Sequence, residues 1–222
     1  MDGLNGHKIM CMNSSFYTKL VANTPLPNGF EAVEHTQSLS NRKVANYAMV
    51  ERWYNNVFDH DFIFVPIVSR GHWLLMVICS PGTTDDDGTP EVSQSKYGRG
   101  AILCFDSKTR SKIVTDDFVD PLLEYLNMQW VKEKGVIGRV DFRKCRFVRM
   151  RVGQQRNNYD CGVCMLMVAK KVAEKLPMEW PLLMGEETSD LCLKFADSYR
   201  ISLINRYRKQ LRSELQRLKG VN

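Results

Sequence analysis

The sequence contains no uninterrupted apolar run of about 18 residues, the length that a transmembrane helix needs. Its first residues, Met1 to His7, lack the regions that make up a secretory signal peptide. No internal repeat is visible. The composition is not that of a disordered chain either, because 44% of the residues are hydrophobic and 10% are aromatic. We therefore expect one globular domain of 222 residues.

The cysteines do not form the pattern of a secreted disulfide framework. There are seven of them, an odd number, and some lie inside apolar runs such as residues 75–79. We therefore expect reduced thiols and a cytosolic or nuclear protein. The net charge of +6 favours an acidic partner, but it does not distinguish a protein from a nucleic acid.

Predicted strands and helices occur in blocks, which is typical of an α+β fold. Short apolar segments predict strands at residues 62–68, 73–79, 101–105 and 146–152, the first two as a hairpin. Helical spacing predicts helices at residues 11–21, 44–58, 116–131, 161–176 and 198–219. Pro66 suggests a sheet edge or a bulge. The stretch from Ser80 to Gly100 is rich in Gly, Pro, Ser and Asp, and we expect an exposed insertion there.

Three segments carry the groups that a thiol protease requires. His72 opens a predicted strand, Asp106 follows another, and Cys161 lies between a polar loop and an apolar helix. The thiolate is the nucleophile, and a helix N-terminus favours it because the N–H groups there attract negative charge. An imidazole exchanges the proton, and a carboxylate orients the imidazole. Gln155, in the preceding loop, has an amide that can stabilise an oxyanion. Each group alone is more often structural, so the prediction depends on the combination.

This order resembles the ubiquitin-like-protein proteases, the Ulp/SENP-type SUMO proteases that are related to adenovirus protease. The resemblance is carried by Val65-Pro66-Ile67, His72-Trp73, Phe105-Asp106-Ser107 and Gln155-Arg156-Asn157-Asn158-Tyr159-Asp160-Cys161-Gly162. It extends over about residues 9–205. It implies an α+β, papain-like fold with a central mixed sheet flanked by helices, in a single protease domain over residues 1–222.

The resemblance also implies a chemistry, which is cleavage after the Gly-Gly tail of SUMO through an acyl-enzyme on Cys161. His72 is then the base, Asp106 its orienter and Gln155 the oxyanion donor, while Trp73 lies beside the tail. No metal or cofactor is expected. The expected partners are SUMO and SUMO-conjugated proteins, with no nucleic acid or membrane, and the expected state is a monomer in the nucleus or also in the cytoplasm.

Two departures from the family pattern are visible. His72 and Asp106 lie 34 residues apart, and in much of the family the gap is about half as long. The additional residues are those of the 80–100 insertion, which resembles the subgroup that trims SUMO chains. The family also has an upstream Trp-Leu-Asn-Asp motif, whose tryptophan closes over the Gly-Gly tail. Only Gly3-Leu4-Asn5-Gly6 is comparable here, and we expect that clamp to be missing.

Several other interpretations stay open. Cys161 and Cys164 form a Cys-x-x-Cys pair, but a redox or zinc site requires further context that is not evident. The protease could act on another ubiquitin-like modifier, or the chain could bind SUMO without cleaving it. Two basic groups are candidates for docking an acidic partner. They are Arg143, Lys144, Arg146, Arg149 and Arg151, and, in the last helix, Arg200, Arg206, Arg208, Lys209, Arg212, Arg217 and Lys219.

Overall fold

The computed structural model describes residues 7–22, 46–82, 100–108, 116–135, 145–183 and 203–220. Its strands are β1 (Ile9–Cys11), β2 (Phe62–Ser69), β3 (His72–Cys79), β4 (Ala101–Phe105) and β5 (Arg146–Met150). Its α-helices are α1 (Phe16–Leu20), α2 (Asp116–Lys134), α3 (Cys161–Leu183) and α4 (Ile204–Lys219). Two 3₁₀ turns lie at Tyr47–Met49 and Val57–Asp59.

The five strands form one mixed sheet in the order β1-β2-β3-β4-β5. The pairs β1/β2 and β4/β5 are parallel, while β2/β3 and β3/β4 are antiparallel. Helices cover both faces of this sheet, so the expected α+β fold with a central mixed sheet flanked by helices is confirmed.

Alternation along the central strands separates two hydrophobic cores. Side chains such as Leu74, Met76 and Ile78 of β3 face a core that α1, α2 and the 3₁₀ turns complete. Their neighbours Leu75 and Val77 face a second core, which α3 and the start of α4 complete. Because successive side chains of a strand point to opposite faces, a strand buried on both faces is apolar throughout. This is why β3 shows no alternation in the sequence.

A tight turn fixes where β3 begins. Ser69 pairs with His72 across the hairpin, which leaves Arg70 and Gly71 as the two turn residues. Both have positive φ, 49° and 74°, as a type I′ turn requires. That turn matches the twist of the two strands and therefore sets the register that places His72 at the first position of β3.

The helix predicted over residues 11–21 is confirmed for Phe16–Leu20 and wrong at its start, and the helix predicted over residues 44–58 is wrong in the part that the structure describes. Residues 11–21 divide into the end of β1, which pairs with β2, and the short helix α1. In the described part of the second segment, residues 46–58, the apolar side chains pack through two 3₁₀ turns and not through an α-helix.

Pro66 is not on an outer strand, because β2 lies between β1 and β3. However, β1 pairs with β2 only as far as Phe64, so the missing N–H of Pro66 lies past the end of that ladder.

Some expectations fall outside the described residues. They concern the candidate clamp remnant at residues 3–6, most of the 80–100 insertion, and the basic residues Arg143, Lys144 and Arg200. In the described part of the chain, no helix is long and apolar enough to cross a membrane.

Candidate active site

A buried histidine–aspartate pair lies at one end of the sheet. Nε2 of His72 is 2.7 Å from Oδ1 of Asp106, and each residue is 6% exposed. The same oxygen accepts the backbone N–H of Lys108 at 2.8 Å, which orients the carboxylate. Nε2 of the imidazole is thus held by Asp106, and Nδ1 is the nitrogen that can exchange a proton with a substrate or a nucleophile.

The strand register explains how these two residues meet. Leu75 of β3 pairs with Phe105 of β4, so the next position on β4, Asp106, lies opposite Leu74. His72 is two residues from Leu74 and therefore points to the same face. Diagonal neighbours of this kind are within reach of long side chains, which is why residues 34 positions apart share a hydrogen bond.

Cys161 is the first residue of α3, and its side chain is buried. Trp73, the residue after His72, packs beside it: a methyl carbon built on Gly162 would lie 3.6 Å from Cδ1 of the indole. Trp73 is partly exposed and lies on the face of β3 that α3 covers. The structure therefore brings the start of α3 against the same end of β3 that carries His72.

Residues 106–108, which follow β4, hold the loop that leads to Cys161. The Ser107 carbonyl accepts the N–H of Gln155 at 2.9 Å, and the Ser107 hydroxyl donates to Oε1 of Gln155 at 2.8 Å. Gln154 donates to the Asp106 carbonyl at 3.2 Å. The Gln155 amide is consequently fixed through its oxygen, while its Nε2 donates to the Asn157 carbonyl at 2.6 Å. The backbone that orients the histidine thus also orients the predicted oxyanion donor.

For two of the other thiols the pKa is raised, and a third lies in an apolar core. Burial raises the pKa of Cys79 well above its usual range, with Cys145 adding to the shift, and burial also raises the pKa of Cys11. A protonated thiol is a poor nucleophile. Cys164 is fully buried one turn into α3 and packs in the second core. None of the six cysteines in the described ranges forms a disulfide.

The described residues contain no cluster of three or more His, Cys, Asp or Glu side chains that could hold a metal ion. The His72–Asp106 pair and the hydrogen-bonded Gln155 lie at the end of the sheet where α3 begins with Cys161. This arrangement is suited to nucleophilic catalysis by a thiolate.

Comparison with known proteins assigns the family. A model of the Ulp1 protease family, C-terminal catalytic domain, matches residues 4–207. The chain belongs to the Ulp1 protease family. The resemblance inferred from the sequence motifs is therefore confirmed at the level of the family.

Curated relatives of this Ulp1-family chain include proteases of plants and mammals. One is "Probable ubiquitin-like-specific protease 2B" of Arabidopsis thaliana, 29% identical over 78% of this chain and 18% of its own length. Another is "Sentrin-specific protease 7" of Mus musculus, 27% identical over 69% of this chain and 19% of its own length. The chain thus spans about a fifth of the length of these relatives.

Solved structures support the fold of the family. The "Crystal structure of the de-sumoylating protease" matches 96% of this chain and 71% of that one with a TM-score of 0.65 at 22% identity. The "Structure of Xanthomonas campestris effector protein XopD bound to ubiquitin" matches 93% of this chain and 79% of that one with a TM-score of 0.52 at 16% identity. At these identities, the likeness concerns the fold.

Three residues of this Ulp1-family site received no role in the sequence analysis. Ser107 was part of a quoted motif, but its two contacts with Gln155 depend on a loop conformation that sequence spacing does not reveal. Asn157 also was in a motif, and its Oδ1 accepts the N–H groups of Tyr159 and Asp160. Arg208 was counted only among the basic residues of the last helix, although it donates to Asp160. No local signal marks Arg208, because it lies 48 residues from Asp160.

Proposed function

We propose that this chain is a thiol protease that cleaves after the Gly-Gly tail of SUMO, and that Cys161, His72, Asp106, Gln155 and Trp73 carry the reaction. The observation on which the proposal rests most is the buried 2.7 Å contact between Nε2 of His72 and Oδ1 of Asp106. It lies at the end of the sheet where Trp73 packs against Gly162, the neighbour of Cys161.

In the first half of the reaction, the thiolate of Cys161 attacks the carbonyl carbon of the last glycine of the tail. Nε2 of His72 donates to Asp106, and Nδ1 carries the proton that the departing lysine amine takes. The oxyanion formed on the carbonyl requires donors, and Nε2 of Gln155 is the proposed side-chain donor. For this, the Gln155 amide must exchange its bond to the Asn157 carbonyl for one to the substrate.

The second half hydrolyses the thioester. Nδ1 of His72, now neutral, accepts a proton from water, and the hydroxide oxygen attacks the same carbonyl carbon. Collapse of the second oxyanion expels the Cys161 thiolate and releases the modifier with a free carboxylate. Trp73 is proposed to cover the tail, because its indole is partly exposed beside the start of α3.

The substrate class is supported by the names of the relatives. These are ubiquitin-like-specific and sentrin-specific proteases, and the structural match with a TM-score of 0.65 is called a de-sumoylating protease. Because the chain spans only about a fifth of those relatives, SUMO as substrate is a proposal for this chain. Trimming of SUMO chains, a single catalytic domain over residues 1–222, and location in the nucleus or cytoplasm are further parts of the same proposal.

One experiment separates this proposal from its two alternatives. Electrophilic C-terminal derivatives of SUMO, ubiquitin and the neddylation modifier are incubated with the chain, and adducts are detected by intact mass. We expect an adduct with SUMO that is absent in Cys161→Ser. An adduct with another modifier alone would favour a different specificity. SUMO binding without any adduct would favour a non-catalytic binding protein.

Gln155→Ala is expected to lower kcat on a fluorogenic SUMO amide by about 10²- to 10³-fold, because a side-chain donor to the oxyanion is lost. The affinity for SUMO, measured by calorimetry in a Cys161→Ser background, is expected to stay unchanged. Ser107→Ala removes only the hydroxyl that fixes the Gln155 amide, so its loss of kcat should be smaller. Parallel losses of kcat and affinity in Gln155→Ala would contradict the assignment as oxyanion donor.

A further inference from the structure

The residue before the nucleophile carries a carboxylate whose two oxygens both have partners. Asp160 is 7% exposed, and its carbonyl accepts the N–H of Cys164 at 2.8 Å, the first hydrogen bond of α3. Oδ2 accepts Nδ2 of Asn157 at 2.7 Å. Oδ1 accepts Nη2 of Arg208. Asp160 therefore links the loop that leads to Cys161, the start of α3 and the distant helix α4.

Arg208 is held in place by the packing of α4. Ile204, one turn earlier, is buried in the second core, and Tyr207 packs against the same core. The Tyr207 hydroxyl donates to the carbonyl of Leu166 in α3 at 3.5 Å. The Arg208 side chain is only partly exposed, at 37%, and its second amino group contacts Asn205. The guanidinium is thus directed toward the N-terminus of α3 by a helix that is itself fixed on α3.

Building on the proposed protease function, we propose that Arg208 is a positioning residue that acts through Asp160 to hold Cys161 in its reactive place. The matched family segment ends at residue 207, so membership in the family does not assign this role. Its basis is the direct hydrogen bond and ion pair between Arg208 of α4 and Asp160.

The physical reason is the charge of Asp160. A carboxylate that is mostly withdrawn from water needs a partner, and here the guanidinium supplies a charge-assisted hydrogen bond. Without Arg208, the Asp160 carboxylate would keep an uncompensated negative charge next to Cys161. Because like charges repel, that charge would disfavour the thiolate form of Cys161. The carboxylate would also turn toward water, and the Asn157 bond and the first turn of α3 would shift with it.

The test uses the full chain and a fluorogenic SUMO amide. Arg208→Ala is expected to lower kcat about tenfold to hundredfold, as small displacements of reacting groups do, while KM changes little. Arg208→Lys keeps the positive charge and is expected to recover most of that loss. Arg212→Ala, on the exposed surface of the same helix one turn later, is the matched control. Any contribution of Arg212 to docking would change KM, and its kcat should stay at the wild-type value.

A double-mutant cycle decides whether Arg208 acts through Asp160. Asp160→Asn keeps the shape of the side chain but removes the charge that Arg208 neutralises. If the inference is right, adding Arg208→Ala to Asp160→Asn lowers kcat far less than Arg208→Ala does in the wild-type chain. Equal losses in both backgrounds would contradict the inference, and so would failure of Arg208→Lys to exceed Arg208→Ala.

Alkylation of Cys161 by iodoacetamide tests the inference without any SUMO substrate. The rate, followed by peptide mass spectrometry, should fall in Arg208→Ala and recover in Arg208→Lys, with thermal unfolding recorded for each variant. A wild-type chain that is inactive on every modifier would contradict the proposed function alone. An active wild-type chain whose kcat and alkylation rate are unaffected by Arg208→Ala would contradict this inference alone.

Discussion

Cys161→Ser is expected to lower the turnover of a fluorogenic SUMO amide by at least about 10⁴-fold. The other catalytic residues act on the nucleophile, so their contributions to the rate are lost with it. Serine is nearly the same size as cysteine, so the buried start of α3 should keep its packing. A hydroxyl, however, does not ionise near neutral pH and lacks the nucleophilicity of a thiolate. The measurement is kcat, together with the thermal midpoint of unfolding, which we expect to stay close to that of the wild-type chain.

Cys164→Ala is the control that matters most. Cys164 lies one turn from Cys161 and completes the Cys-x-x-Cys pair, but it is fully buried among apolar side chains. If Cys161 acts alone as the nucleophile, Cys164→Ala lowers stability slightly and leaves kcat near the wild-type value. Loss of turnover in both variants would indicate that the two thiols act as a redox or metal-binding pair, and would overturn the protease assignment. Cys11→Ser, at a residue of β1 that belongs to neither hydrophobic core, controls for unspecific effects of removing a cysteine.

The sequence was most informative where local pattern and tertiary structure coincide. The β2/β3 hairpin could be predicted because two apolar runs flank a short turn segment, and the turn residues Arg70 and Gly71 indeed have positive φ. The position of Cys161 at the start of α3 could be predicted as well, because a polar loop changes there into an apolar helix. Both features depend on neighbours in the sequence, which is where propensity and periodicity act.

The predictions that were wrong concern features that depend on packing between distant parts of the chain. Residues 9–11 form a strand because β2 offers them a parallel partner, and nothing within the segment reveals that partner. Tyr47 illustrates the same limit: its hydroxyl donates to the buried Gln129 of α2 at 2.8 Å, so packing against α2 determines the conformation around it. The last predicted helix is likewise only partly packed, since Ile204 of α4 is buried but Leu215 and Leu218 remain 59% and 61% exposed.

The candidate site shows the same division. The residues proposed to carry the chemistry could be found through a family pattern of residue types in order, but their supporting contacts could not. Ser107 fixes Gln155 through a loop that returns after 48 positions, and Arg208 reaches Asp160 from another helix. Such contacts are set by how the helices and the loop dock on the sheet. They become visible only when the strand register and the helix packing are known.

Asp106→Ala is expected to lower kcat on the SUMO amide by about 10³- to 10⁴-fold, because an imidazole without its acceptor loses both its orientation and its tautomer. In this structure, Oδ1 of Asp106 accepts hydrogen bonds from Nε2 of His72 at 2.7 Å and from the backbone N–H of Lys108 at 2.8 Å. Asp106→Asn can keep that one oxygen in place while the charge is lost. We therefore expect its kcat to fall between those of the wild-type chain and Asp106→Ala.

The chain offers a matched control in a second histidine–aspartate pair. Nδ1 of His7 lies 3.8 Å from Oδ2 of Asp61, and the same oxygen accepts the N–H of Lys8 at 2.8 Å. Asp61 precedes β2, and β2 separates it from the turn before His72 by roughly 24 Å of strand. Asp61→Ala should therefore leave kcat unchanged, even where it lowers the thermal midpoint. If both alanine variants lowered kcat in proportion to lost stability, Asp106 would be a structural residue, and the tautomer of His72 would have to be fixed by another group.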